Sequence, residues 1–193
     1  MYALDLPGFG ESEVLMPLSV DEVSDVVYDF VSILSIDKPI ILGHSYGGRV
    51  AISYASKYPI SKLVLVSSAG IRQKLKIAKR MKIKLYKVLK KCHLKVRMGS
   101  KDYLNADNIK KAMLVKAVNK DLQEEMKKIT SPTLLIYGKD DNVTPLDMGY
   151  KIKDNIKDSF LVELDNCGHF PYLERFSIFS LILNSFLVGD VVD

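Results

Sequence analysis

The 193-residue sequence is short of the residues that many small folds depend on. It has two cysteines and three histidines. Cys92 and Cys167 lie far apart, without metal-ligand spacing. They are expected to be free thiols in a reducing cytoplasm, and no metal site is expected. There is no uninterrupted apolar run of about 18 residues, so no membrane-spanning helix is expected. The opening "MYALDLPGFGES" has no basic region followed by an apolar one and is not read as a secretory signal. Internal repeats and low-complexity linkers are also absent. With so few histidines, any proton-shuttling role falls to His44, His93 or His169.

Acidic residues are missing from one stretch in particular. Between Ile71 and Arg97 there are twelve Lys or Arg and no acid. The remaining 16 basic residues face 23 acidic ones, so the rest of the chain carries a net −7 although the whole carries +5. The positive charge is therefore a local feature. Apolar residues make up 48% and charged residues 26% of the chain, a balance suited to one globular core.

Strand-like and helix-like segments alternate, which predicts an α/β fold with a mainly parallel sheet flanked by helices. Tyr2–Asp5 is a short apolar stub running into the Gly/Pro turn "LPGFGES". Ser19 and Glu22 form a possible capping box ahead of Val20, Val23, Val26, Val27, Phe30, Val31 and Leu34 at helical spacing. Strands are expected at Ile40–Leu42, Leu63–Val66, Thr133–Tyr137 and Phe160–Leu164, with a final apolar helix over Tyr172–Leu187. The core is then residues 1–70 and 130–193. Residues 71–129 are an inserted helical cap over one end of the sheet.

The stretch "IILGHSYGGRV" sets Gly43-His44-Ser45-Tyr46-Gly47 between a strand and a helix. A nucleophilic serine requires such a turn. Its hydroxyl must be exposed on a strained backbone, and small neighbours must let strand and helix pass closely. The N–H of Tyr46, at the helix start, can then face a developing oxyanion. A Gly-rich turn with an inert serine, or one that binds phosphate, fits the same letters.

Serine needs a base, and the base needs an orienting acid. His44 lies inside the elbow and reads as support, together with Gly43 and Gly47. His93 sits in the basic run. His169, in "DNCGHFPYLE", follows the last strand at the same end of the sheet as the elbow; capping the last helix is its structural alternative. Asp140 and Asp141, in "LLIYGKDDNVTP", are the acid candidates. The chain order Ser45, Asp141, His169 suits this scaffold.

With these four motifs in order, the chain resembles the α/β-hydrolase fold superfamily over residues 1–70 and 130–193. "DLPGFGES" is similar to the stretch after the family's fourth strand, and "GHSYGG" to its nucleophile elbow. "PTLLIYGKDDNVTP" is similar to the acid loop, which puts the acid at Asp141, and "GHFPYLE" to the histidine turn. The resemblance implies a serine hydrolase acting on a carboxylic ester or related small acyl substrate, without cofactor or metal. Residues 71–129 are then the variable cap. Family members begin with about three earlier strands, and the loop after the third donates a second oxyanion N–H. Met1 falls directly on the fourth strand. The resemblance thus implies an N-terminally incomplete member. Tyr2–Asp5 must pair directly with Ile40–Leu42 or fray, and either way a sheet edge is exposed. A catalytically impaired fragment or pseudoenzyme is the alternative.

Three readings stay open for the basic insert, residues 72–97. It is a cap helix with a solvated charged face, a surface helix drawn to anionic lipid, or a positive lid that draws in acidic substrates. A nucleic-acid partner is not expected, because no recognised binding fold or aromatic platform surrounds it.

Overall fold

The computed structural model describes residues 1–72 and 107–189. Its sheet has four parallel strands in the order β1-β2-β3-β4: β1 Ile40–His44, β2 Lys62–Val66, β3 Thr133–Gly138 and β4 Ser159–Leu164. The α/β class follows the alternation of segments in the sequence. β2 and β3 are buried along their whole length, as near-continuous apolar runs in a parallel sheet should be.

Alternate side chains build a core on each face of the sheet. Leu63, Leu65, Leu135 and Tyr137 join Ile52, Tyr54 and Ile152 on one face. Val64, Val66, Leu134 and Ile136 join Leu164 and Phe179 on the other. Two helices on the first face are α1, Val20–Ile33, and α2, Tyr46–Ala55. α1 starts where the capping box places it. The Glu22 N–H donates to Ser19 Oγ at 3.2 Å, and the Ser19 N–H donates to Glu22 Oε2 at 2.6 Å. This satisfies two donors that the first turn leaves free.

The remaining helices are α3, Asn108–Asn119; α4, Gln123–Met126; α5, Leu146–Asn155; α6, Pro171–Glu174; and α7, Phe176–Val188. Most of the expected cap, residues 73–106, lies outside the described residues, and with it Cys92, His93 and nearly all of the basic run. Of the described remainder, α3 contributes Met113 and Ala117 to a cluster with Val20, Val23 and Val50. Leu122, Met126 and Ile129 enter the main core. Among the described residues no helix is long and apolar enough to cross a membrane.

The structure decides one expectation, corrects a second and adds a helix to them. Of the two outcomes expected for Tyr2–Asp5, pairing or fraying, the second is found: it forms no strand, Met1, Tyr2 and Leu4 are exposed, and the Tyr2 ring packs edge-on against Phe30 at 5.7 Å. The outer edge of β1 has no strand partner among the described residues, and Ile40 and Leu42 stay 47% and 50% exposed. An apolar cleft of about 810 Å³ lies beside that edge, lined in part by Leu4, Leu6, Phe30, Ile41, Leu183 and Leu187. The last helix is two pieces. Arg175 leaves helical geometry, with φ −137° and ψ 45°, and its Nε donates to the carbonyls of Asp165 and Asn166. Finally, α5 has no counterpart in the sequence reading.

Candidate active site

Parallel pairing sets the geometry of the site. His44 pairs with Val66, Val66 with Ile136, and Gly138 with Leu164, so the strands end in line. The loops after β1, β3 and β4 carry Ser45, Asp141 and His169 to that one end.

Ser45 is the hinge between β1 and α2. Its backbone has φ 52° and ψ −111°, a left-handed conformation that costs a non-glycine residue about 1–3 kcal/mol. The surrounding backbone holds it there. Its N–H donates to the Val66 carbonyl at 3.2 Å, and its own carbonyl accepts from Gly48 and Ala69. Gly43 is required, because a Cβ there would run into the backbone of Gly47 and Gly48. Gly47 itself does not carry the crowding expected of it, since a Cβ on it would meet nothing. Gly48 takes that role, pressed against Ser68. The N–H of Tyr46 opens α2, at a helix start where backbone donors lack intrahelical acceptors. The Tyr46 ring stacks on Phe9 at 4.8 Å, and the Lys110 ammonium lies 4.2 Å from the centre of the Phe9 ring.

His169 Nε2 lies 3.1 Å from Ser45 Oγ, and Nδ1 lies 2.8 Å from Asp141 Oδ2. The three expected side chains are therefore brought together. Asp140, the neighbouring candidate, is exposed, and the carboxylate on the histidine ring is that of Asp141. The Asp141 side chain is fully buried. Burial alone would push its carboxyl up. Hydrogen bonds from His169, from the Thr144 hydroxyl and from the N–H groups of Thr144 and Val143 outweigh it and bring the carboxyl from 3.8 down to about 2. The loop after β3 can approach the histidine loop because Gly138 has no side chain; a Cβ there would strike the Cys167 and Gly168 carbonyls.

The histidine loop is held from two sides. His44 Nε2 lies 2.8 Å from the His169 carbonyl. A carbonyl only accepts, so His44 carries its proton on Nε2. Burial lowers the pKa of His44 and keeps it neutral. Glu174 accepts from the Gly168 and Phe170 N–H groups at 2.7 and 3.0 Å, and these bonds depress its carboxyl.

Sequence reasoning missed Thr144, Glu174 and Phe9. Thr144 has a local signal, a threonine three residues after an aspartate and just before a proline, the composition of a side-chain-capped turn. The other two depend on how loops meet. Among the described residues no three His, Cys, Asp or Glu side chains group as a metal ion would need.

A family model described as the alpha/beta hydrolase fold matches residues 1–93 and 86–176. The chain is 27% identical over 215 residues to the uncharacterized hydrolase YugF of Bacillus subtilis (strain 168), covering 96% of this chain and 79% of that protein. It is 27% identical over 221 residues to a 2-hydroxy-6-oxononadienedioate/2-hydroxy-6-oxononatrienedioate hydrolase of Comamonas testosteroni, covering 96% and 76%. Among solved structures it superposes on a thermophilic esterase from Thermogutta terrifontis with a TM-score of 0.72 at 20% identity, covering 94% of this chain and 77% of that one. It also superposes on an enol-lactonase from Burkholderia xenovorans LB400 with a TM-score of 0.73 at 21% identity, covering 94% and 78%.

Proposed function

The chain belongs to the alpha/beta hydrolase fold family, and on that premise we propose that it is a serine hydrolase cleaving a carboxylic ester or related small acyl compound. The observation that carries this reading is the unbroken contact from Ser45 Oγ through His169 to Asp141. Ser45 Oγ attacks the acyl carbon while its proton passes to His169 Nε2. The carbonyl electron pair moves to oxygen, where the Tyr46 N–H stabilises it. Asp141 holds the imidazole in the tautomer with hydrogen on Nδ1 and stabilises the imidazolium. Collapse of the tetrahedral intermediate breaks the bond to the leaving group, which takes the proton from Nε2. Water then repeats the sequence on the acyl-enzyme and frees Ser45.

The Comamonas relative's named substrates bear a 6-oxo group, so a keto carbon bonded to carbon is a second acyl type worth offering. The test is hydrolysis of p-nitrophenyl esters of short and medium acyl length, beside a 6-oxo dienoate. Turnover by the wild type should fall on the order of 10⁴-fold or more in Ser45→Ala. Equal rates in the two proteins would refute the proposal.

One other reading is a catalytically impaired fragment or pseudoenzyme of this fold that binds a membrane surface or partner through its basic residues 72–97; the outer edge of β1, without a strand partner among the described residues, is the observation that favours impairment. Absence of turnover in a chain that is demonstrably folded would favour it.

A further inference from the structure

We infer that Thr144 is a positioning residue for the Ser45–His169–Asp141 site, tying the loops after β2, β3 and β4 to one another. The inference rests on the serine-hydrolase reading for its catalytic consequence and on geometry for its existence.

Thr144 is buried, with 3% of its surface exposed. Its Oγ1 lies 2.7 Å from Asp141 Oδ2, 2.9 Å from the Ser67 carbonyl and 3.2 Å from His169 Nδ1. These three partners come from three different loops. Ser67 directly follows β2 with φ 40°, a left-handed conformation that a serine rarely adopts unless it is held. Its N–H donates to the Ile136 carbonyl, and its own carbonyl faces Thr144.

Hydrogen-bond capacity assigns the role. A carboxylate offers about four lone-pair sites. Asp141 Oδ1 accepts from the N–H groups of Val143 and Thr144 at 2.7 and 2.9 Å. Oδ2 accepts from His169 Nδ1 and from Thr144 Oγ1. All four sites are filled, and the carboxylate cannot rotate without breaking a bond. The Thr144 hydroxyl has one proton and two acceptors within reach, Asp141 Oδ2 and the Ser67 carbonyl. Given to Oδ2, at the shorter distance, that proton completes the carboxylate's set of four donors, and the Ser67 carbonyl keeps the hydroxyl oxygen in place beside it. The donated O–H keeps Oδ2 facing Nδ1. Without it, Oδ2 is held by His169 alone, and the bearing of His169 on Ser45 is looser.

The test compares Thr144→Val, which keeps the shape and removes the hydroxyl, with Thr144→Ser, which keeps the hydroxyl. The first readout is the proton NMR resonance of His169 Nδ1–H, assigned by its loss in Asp141→Asn. It should move upfield or broaden away in Thr144→Val and persist in Thr144→Ser. The second is the rate of fluorophosphonate labelling. It should fall about tenfold in Thr144→Val, the size of one lost hydrogen bond to a charged group, and stay within about twofold of wild type in Thr144→Ser. An unchanged Nδ1 resonance in Thr144→Val, or equal damage in both variants, would overturn the inference. A wild type that is never labelled would defeat the serine-hydrolase reading instead, while the Nδ1 comparison would still decide Thr144.

Discussion

His44 donates from Nε2 to the backbone carbonyl of His169, 2.8 Å away. The residue just before the candidate nucleophile therefore holds the loop that carries the candidate base. The two imidazoles sit 4.7 Å apart, and Phe170 and Tyr172 pack around the His44 ring. Replacing His44 by Ala leaves a partly buried carbonyl without its donor, at a cost of about 1 kcal/mol. His44→Ala should melt at a lower temperature and react more slowly with a fluorophosphonate; His44→Gln, which can still donate, should recover part of both. Thermal melts and labelling rates measured together check this.

Glu174 fixes the same loop from the other side. Glu174→Ala removes the acceptor for two N–H groups, so labelling should slow several-fold, while Glu174→Gln, with one neutral acceptor oxygen, should lie between Ala and wild type. A Glu174→Ala protein labelled at the wild-type rate would show that this anchor is dispensable.

Asp141 should leave a signature in acid. Its carboxyl ionises near 2 in the fold against an ordinary 3.8, so the folded chain binds fewer protons than the unfolded one in that window. The contribution, about 2 kcal/mol, is present above pH 3.8 and is lost as the pH falls from 3.8 toward 2. Urea midpoints measured across that range should fall more steeply for wild type than for Asp141→Asn.

The edge of β1 should be adhesive. Ile40 and Leu42 are about half exposed on a strand whose outer hydrogen-bonding groups face no other strand among the described residues. Such edges invite pairing between chains, and a lysine placed on them discourages it. Light scattering at rising protein concentration should show self-association of the wild type and markedly less for Leu42→Lys.

Features determined within a few neighbouring residues were legible in the sequence. The capping box at Ser19 and Glu22, the four strands, and the elbow around Ser45 depend on local spacing, and all lie where that spacing puts them. Features that depend on a distant neighbour were not. α5 holds Gly149 in its middle, a poor helix former; the position makes sense only because Gly149 lies against the Tyr137 ring. The break between α6 and α7 depends on Arg175 reaching the carbonyls of Asp165 and Asn166. Whether the stub Tyr2–Asp5 pairs or frays could not be read from its letters, because a strand forms only against a ladder, and it finds none among the described residues. Gly47 and Gly48 look equivalent as letters, and only the nearness of Ser68 separates them.

The central claim is that Ser45 is a nucleophile activated by His169. It is tested most directly by incubating the purified chain with a fluorophosphonate probe and mapping the modified peptide, with Ser45→Ala and heat-treated chain as controls. One covalent adduct is expected, on Ser45, lost in both controls. A chain that is folded by circular dichroism and hydrogen exchange yet takes up no probe at Ser45 would contradict it.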